Sequence, residues 1–203
     1  MKRQGRRLIL ISLTMLLLTG AAADNAVQTV VFIRHGEKPD KGLGQLNCQG
    51  LNRALALPSV IAKTFGRPDA IFAPDPSHRK IDAGELFDYV RPLATIEPTA
   101  IAFGLPVNAS IGYSDVVSLQ AAIEQAQYRD AFILIAWEHN MIENVARALL
   151  AAHGGDVAVV PKWDGDDFDS IYVVTISRSG DTTKASFALK HQGLDGQRDT
   201  CPQ

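Results

Sequence analysis

The apolar positions fall into short unbroken runs that alternate with stretches of helical spacing. Val30-Val31-Phe32-Ile33 is a run of β-branched and aromatic residues, which predicts a strand buried on both faces. It stops at Arg34-His35-Gly36-Glu37, and a Gly-, Asp- and Lys-rich loop follows from Lys38 to Gln49. Leu51, Ala54, Leu55, Ile61 and Phe65 then recur at helical spacing; Pro58 predicts a kink, and Gly66 and Pro68 an end. Ala70–Ala73 predicts a short buried strand, whereas Pro74 to Asp88 carries no clear period. Arg91-Pro92 predicts the start of a helix, since proline suits the first helical position; Pro98 restarts it and Gly104 closes it.

Ser114 or Asp115 caps the next helix, with Val116, Leu119, Ile123 and Ala126 on its apolar side. Ala131–Trp137 is a second fully apolar strand and leads into Glu138-His139-Asn140. Asn140 with Glu143 resembles a capping box, so a helix is expected immediately after His139, with Met141, Val145 and Leu149 inward and Gly154-Gly155 as its stop. The aspartates at 164, 166, 167 and 169 lack the spacing of a calcium loop and predict a solvated turn. Ile171–Ile176 and Ala185–Leu189 are two strands close enough for a hairpin. The alternation predicts an α/β protein: a three-layer α/β/α sandwich with a mainly parallel central sheet and an antiparallel edge hairpin.

The first residues change the picture. Lys2, Arg3, Arg6 and Arg7 precede an uncharged apolar run, Leu8 to Leu18, and the small residues Ala21-Ala22-Ala23. That is the layout of a signal peptide over 1–23, and the run is shorter than the roughly 17 residues a membrane span requires. Cleavage near Ala23 leaves 180 residues, 24–203, enough for one domain with its own core. It also removes four positive charges, taking the net charge from −2 to −6. An acidic mature chain argues against nucleic acid or stable membrane insertion as its mode of action. Export, to a periplasm or the exterior, would expose Cys48 and Cys201 to oxidising conditions, where either one disulfide or two free thiols is consistent with the sequence.

The candidate chemistry lies where the apolar runs end. Ligands bind open α/β sheets outside the carboxyl ends of the strands. Two such ends carry histidine, His35 and His139, and parallel neighbours would present both on one rim. His139 also precedes a helix N-terminus, which favours an anion.

These stretches resemble the histidine phosphatase superfamily, which includes phosphoglycerate mutases and many acid phosphatases. The family opens on a strand ending in Arg-His-Gly, here Arg34-His35-Gly36. It continues with Leu-Thr-x-x-Gly-x-x-Gln-Ala, of which Leu46, Gly50 and Ala54 are kept. A second arginine stands in an Arg-Ala-x-x-Thr context, here Arg91 with Thr95, Pro92 replacing the alanine. The second histidine after a late strand matches His139. The resemblance implies a phosphoglycerate mutase-like fold and an enzyme that hydrolyses phosphomonoesters without metal or cofactor. It implies His35 as a transiently phosphorylated nucleophile, with Arg34, Arg91 and His139 on the phosphoryl oxygens. Substrates would be small-molecule or protein phosphoesters.

The leaving alcohol needs a proton, and two acids compete. Asp115 lies at a family-like separation from Arg91 but also reads as a helix cap. Glu138 adjoins His139 but also reads as an ion-pair partner. Glu37 either orders the nucleophile loop, where it would border bound substrate, or is a surface charge. His78, Arg79 and Lys80 read as a lid or as a solvated loop, and His153 and His191 as surface residues. Two rival readings are a phosphate- or phosphoprotein-binding module that has lost turnover, and a metallohydrolase built on His35 and His139. The second lacks the close histidine spacing of a zinc motif.

Overall fold

β1 (Ala26–Arg34) runs through the middle of a six-stranded sheet, and Arg34-His35-Gly36-Glu37 emerges at its carboxyl end. The computed structural model describes residues 25–202; the expected signal peptide lies outside them. On one side β1 pairs in parallel with β6 (Phe132–Trp137), beyond which lie β2 (Ala70–Pro74) and β5 (Val107–Ile111), also parallel. On the other it pairs antiparallel with β7 (Ser170–Ser179), and β7 with β8 (Thr182–His191). The strand order is β5-β2-β6-β1-β7-β8.

The central strands alternate between two cores, as a period of two dictates. Val31, Ile33, Leu134 and Ala136 face α1 (Cys48–Thr64) and α2 (Arg91–Phe103), meeting Leu57, Ile61, Ile96 and Ala100. Val30, Phe32, Ile133, Ile135 and Trp137 face α3 (Val116–Ile123) and α4 (His139–Ala152), meeting Leu119, Ile123, Ile142, Val145 and Leu149. Both tryptophans, Trp137 and Trp163, are buried in this second layer. The architecture is the mainly parallel α/β/α sandwich, with β7 the one strand running against the rest.

The structure departs from the sequence expectations in four places. Pro74 to Asp88 is not featureless: it holds a small antiparallel hairpin, β3 (Lys80–Asp82) and β4 (Glu85–Phe87). β5 was not expected, because Val107-Asn108-Ala109-Ser110-Ile111 mixes small polar residues into an edge strand. α2 runs through Pro98 without a restart and ends at Gly104, whose φ of 63° is the left-handed conformation glycine suits. α4 starts at His139, but its cap is Glu138, which accepts the Met141 N–H at 3.1 Å. Asn140 and Glu143 form no capping box: the Asn140 amide donates to Glu138, and Glu143 accepts the Trp163 N–H at 2.6 Å.

Candidate active site

The parallel register of β1 and β6 sets Arg34 opposite Trp137, and the His35 N–H donates to the Trp137 carbonyl at 3.2 Å. His35 and Glu138-His139 therefore leave the sheet at one rim. His35 is 2 % exposed. Its Nδ1 is 2.8 Å from the Gly36 carbonyl, and its Nε2 is 3.3 Å from Arg91 Nε. A carbonyl only accepts and a guanidinium N–H only donates, so the two contacts fix one tautomer: Nδ1 carries the hydrogen and Nε2 keeps its lone pair. Burial, then the Arg91 charge, hold the imidazole well below the ordinary histidine range, so it is neutral at pH 7.

Arg91 opens α2 and is brought to His35 by the packing of α1 and α2 beneath the sheet rim. Its Nη1 pairs with Asp82 of β3. One turn on, the Thr95 hydroxyl donates to the Arg91 carbonyl at 2.7 Å and accepts the Gly36 N–H at 2.9 Å, locking the helix to the loop that follows His35.

Arg34 is buried, and its Nη1 donates to the carbonyls of Gly165 (2.6 Å) and Asp167 (2.9 Å). Its guanidinium lies 4.0 Å over the Phe168 ring, and Phe168 also faces His35 with ring centroids 6.0 Å apart. Arg34 Nε is buried without a hydrogen-bond partner. The acidic stretch is thus a wall of the site rather than a solvated turn: its backbone oxygens and its one aromatic ring do the holding, and its carboxylates mostly face elsewhere.

Glu138 is 4 % exposed. Besides the Met141 N–H and the Asn140 amide it meets Lys80 Nζ at 3.4 Å and His139 Nδ1 at 3.1 Å. Burial pushes its carboxyl up, but His139, Lys80 and the Met141 N–H outweigh that and hold it far below the usual carboxylate range. The His139 contact is at ion-pair range without hydrogen-bond alignment, so Nδ1 of His139 is a second buried polar atom with no hydrogen-bond partner. The Tyr89 hydroxyl is a third; its ring stands edge-on to His35 at 6.0 Å and beneath the Arg91 guanidinium at 4.8 Å.

The structure therefore brings together Arg34, His35, Arg91, Glu138 and His139. It sets two expected residues elsewhere. Glu37 is spent on Arg53: its carboxylate takes Nε and Nη2, the closest contact being 2.7 Å, and Arg53 continues to Asp169 (3.1 Å) and Asp195 (3.0 Å). Held by Arg53, the Glu37 carboxylate ties the loop after β1 to α1, the ordering role the sequence offered for it. Asp115 is the exposed cap of α3, accepting the Ser118 N–H at 3.0 Å. Cys48 and Cys201 are joined by a disulfide. Among the described residues no three His, Cys, Asp or Glu side chains are gathered as metal ligands.

Sequence reasoning missed Asp82, Tyr89 and Phe168, and left Lys80 in an undivided basic cluster. Lys80 and Asp82 point inward while Ile81 between them is 70 % exposed. That Lys-x-Asp alternation is the signal that could have found them.

The sequence matches no protein-family model and no curated protein sequence. Solved structures do share its fold. A protein assigned as the phosphohistidine phosphatase SixA from Nakamurella multipartitia superposes with a TM-score of 0.53 at 13 % identity, over 83 % of this chain and 98 % of that one. A mycobacterial glucosyl-3-phosphoglycerate phosphatase in complex with inorganic phosphate gives 0.52 at 16 %, over 79 % and 95 %. A phosphoglycerate mutase from Plasmodium falciparum gives 0.52 at 11 %, over 81 % and 90 %. The chain shares with these proteins the phosphoglycerate mutase-like α/β sandwich, and it carries a strand-end histidine on its central strand.

Proposed function

We propose that this chain is an exported phosphatase that hydrolyses phosphomonoesters through a phosphohistidine at His35, using no metal. One observation carries the reading: a buried, neutral imidazole whose free lone pair, on Nε2, faces an arginine. Neutral imidazole is the nucleophilic form, and the Gly36 carbonyl keeps the other nitrogen protonated. The surroundings suit a phosphoryl group. Arg34 Nε and His139 Nδ1 are buried polar atoms still lacking a hydrogen bond, and Arg91 offers a planar fork. His139 adds the N-terminal end of α4, where backbone N–H groups favour an anion.

In the first step Nε2 attacks phosphorus and the ester oxygen leaves in line; in the second, water displaces the imidazole. Arg91 must release Nε2 and turn its N–H groups to the phosphoryl oxygens. Charge on those oxygens is then held by Arg34, His139 and the turned Arg91 in a site shielded from water, where electrostatic catalysis is strong. Export is supported by the basic and apolar N-terminal residues and by a disulfide that suits an oxidising compartment. The second reading, a phosphate-binding module, is favoured by one observation: neither Asp115, a cap, nor Glu138, a clamped carboxylate, is placed to give up a proton.

A panel of phosphoesters at several pH values, run with wild type and His35→Ala, tests the proposal. Wild type should turn over at least one ester and leave labelled phosphate on His35 after an acid-free quench. The variant should lose nearly all activity with its fold intact. Phosphate binding without turnover or labelling would establish the binding module instead.

A further inference from the structure

An alkyl phosphate that loses its phosphoryl group releases an alkoxide, which needs a proton as it departs. The carboxylates at the rim divide sharply. Glu37 is bound by Arg53, Glu138 is enclosed by four partners, and Asp115 is an exposed cap. Asp82 differs from all three. It is 6 % exposed, on the inward face of β3, and it touches Nη1 of the same guanidinium whose Nε touches the nucleophile. Nε and Nη1 share one carbon, so a single rigid fork spans His35 and Asp82. A phosphoryl group on His35 would therefore lie beside the same guanidinium that the Asp82 carboxyl holds from another edge.

We propose that Asp82 is the general acid that protonates the leaving alcohol and then the general base that activates water, an assignment that rests on the phosphatase reading above. In the first step the Nε2–P bond forms, the P–O bond to the alcohol breaks, and the Asp82 proton goes to that oxygen. In the second, water oxygen bonds to phosphorus, the Nε2–P bond breaks, and the water proton returns to Asp82.

The groups facing Asp82 are Arg91 of α2, Lys38 of the loop after β1 at 3.2 Å, and Lys80 of its own strand. In the empty site burial pushes the carboxyl up, but Arg91 and Lys38 outweigh it and keep it ionised. A phosphoryl dianion reverses this. It draws off the N–H groups of Arg91 and sets negative charge beside the carboxylate, and both changes favour taking up a proton. The position also explains the hairpin: β3 and β4 are inserted directly before Arg91, and what they bring to the rim is Lys80 and Asp82.

The test compares kcat/KM, which reports only the steps through phosphoryl transfer to His35, on glycerol phosphate and 4-nitrophenyl phosphate. The nitrophenolate leaves without a proton; the glycerol alkoxide does not. Asp82→Asn should lose about 100-fold or more on glycerol phosphate and under about 5-fold on 4-nitrophenyl phosphate, and Asp82→Glu should recover part of the loss. Equal losses on both esters would make Asp82 a holder of Arg91 only. Gains on both would make it a competitor of phosphate for Arg91. Either result overturns the proposal. Should Asp82→Asn fail to fold, wild type alone decides: general acid help keeps kcat/KM nearly independent of leaving-group acidity across substituted aryl phosphates, and a steep dependence overturns it. Hydrolysis that survives His35→Ala would bring down the phosphatase reading itself. A uniform Asp82→Asn effect in an enzyme silenced by His35→Ala removes only the acid.

Discussion

At His35, burial and the two neighbouring guanidinium groups act in the same direction: each disfavours a proton on the ring. The sign of the resulting pH dependence follows. In the unfolded chain this histidine takes up a proton near pH 6.5, whereas in the folded chain it does so only at much lower pH. Below about pH 6.5 the unfolded state therefore binds more protons, and stability falls as pH falls, by up to about 1.4 kcal/mol per unit. The depressed carboxyls of Asp82 and Glu138 lose their contribution only at lower pH, so the window between about pH 6.5 and 5 belongs to His35. Urea unfolding of wild type and His35→Gln across that window should show wild type losing stability faster; a constant gap would mean the imidazole is free to protonate. Much at this scale was legible in the sequence. A buried apolar run ending in Arg34-His35-Gly36 marks a strand end, and Pro92 marks Arg91 as the start of a helix. Glu138 and Asp115 were read as acids or as structural partners, and both serve as caps here because a helix start leaves N–H groups that the preceding carboxylate is placed to accept.

At the scale of elements, the decisive join is between the first turn of α1 and the loop after β1. Asn47 caps α1 by accepting the Gly50 N–H at 2.8 Å, and the Asn47 N–H donates to the Glu37 carbonyl at 3.0 Å. Gly50 packs so closely on the loop that a Cβ there would run into the backbone of Glu37, and one on Gly36 would come within 3.0 Å of Gly50 Cα. Gly50 is needed for this approach rather than for its dihedral freedom. Gly50→Ala should cost about 1–3 kcal/mol in thermal unfolding and reduce turnover together, since Gly36 and Glu37 must shift and carry the adjoining His35 with them. A variant that keeps full activity would show that the loop tolerates displacement. Long apolar runs and capped helices announced themselves: β6, α2 and α4 start within a residue of expectation, and β1 begins four residues ahead of its apolar run. The β3–β4 hairpin did not, because three-residue strands carry no period. Its inward Lys80 and Asp82 acquire meaning only once tertiary packing sets them against Glu138 and Arg91.

Across the whole molecule, the C-terminal tail returns to the element that supports the loop after His35. The Cys48–Cys201 disulfide joins the first residue of α1 to the tail across 153 residues of sequence. Asn52 donates to the carbonyls of Arg198 (2.8 Å) and Thr200 (2.9 Å), and Arg53 reaches Asp195. These ties converge on the helix turn that seats the loop carrying His35, so the tail belongs to the support of the site although it contributes no group to it. A bridge closing so long a segment restricts the unfolded chain strongly, which corresponds to about 2–5 kcal/mol. For a domain of this length that is about 5–15 °C in the unfolding midpoint. Reductant, and Cys201→Ser without reductant, should both lower Tm by that amount, and by the same amount as each other; a midpoint indifferent to both would mean the bond does not form in solution. Activity at 25 °C should survive reduction, because Arg53, Thr95 and the Asn47 cap still hold the loop. The tail's loss would appear first as activity that fades on warming well before the sheet unfolds.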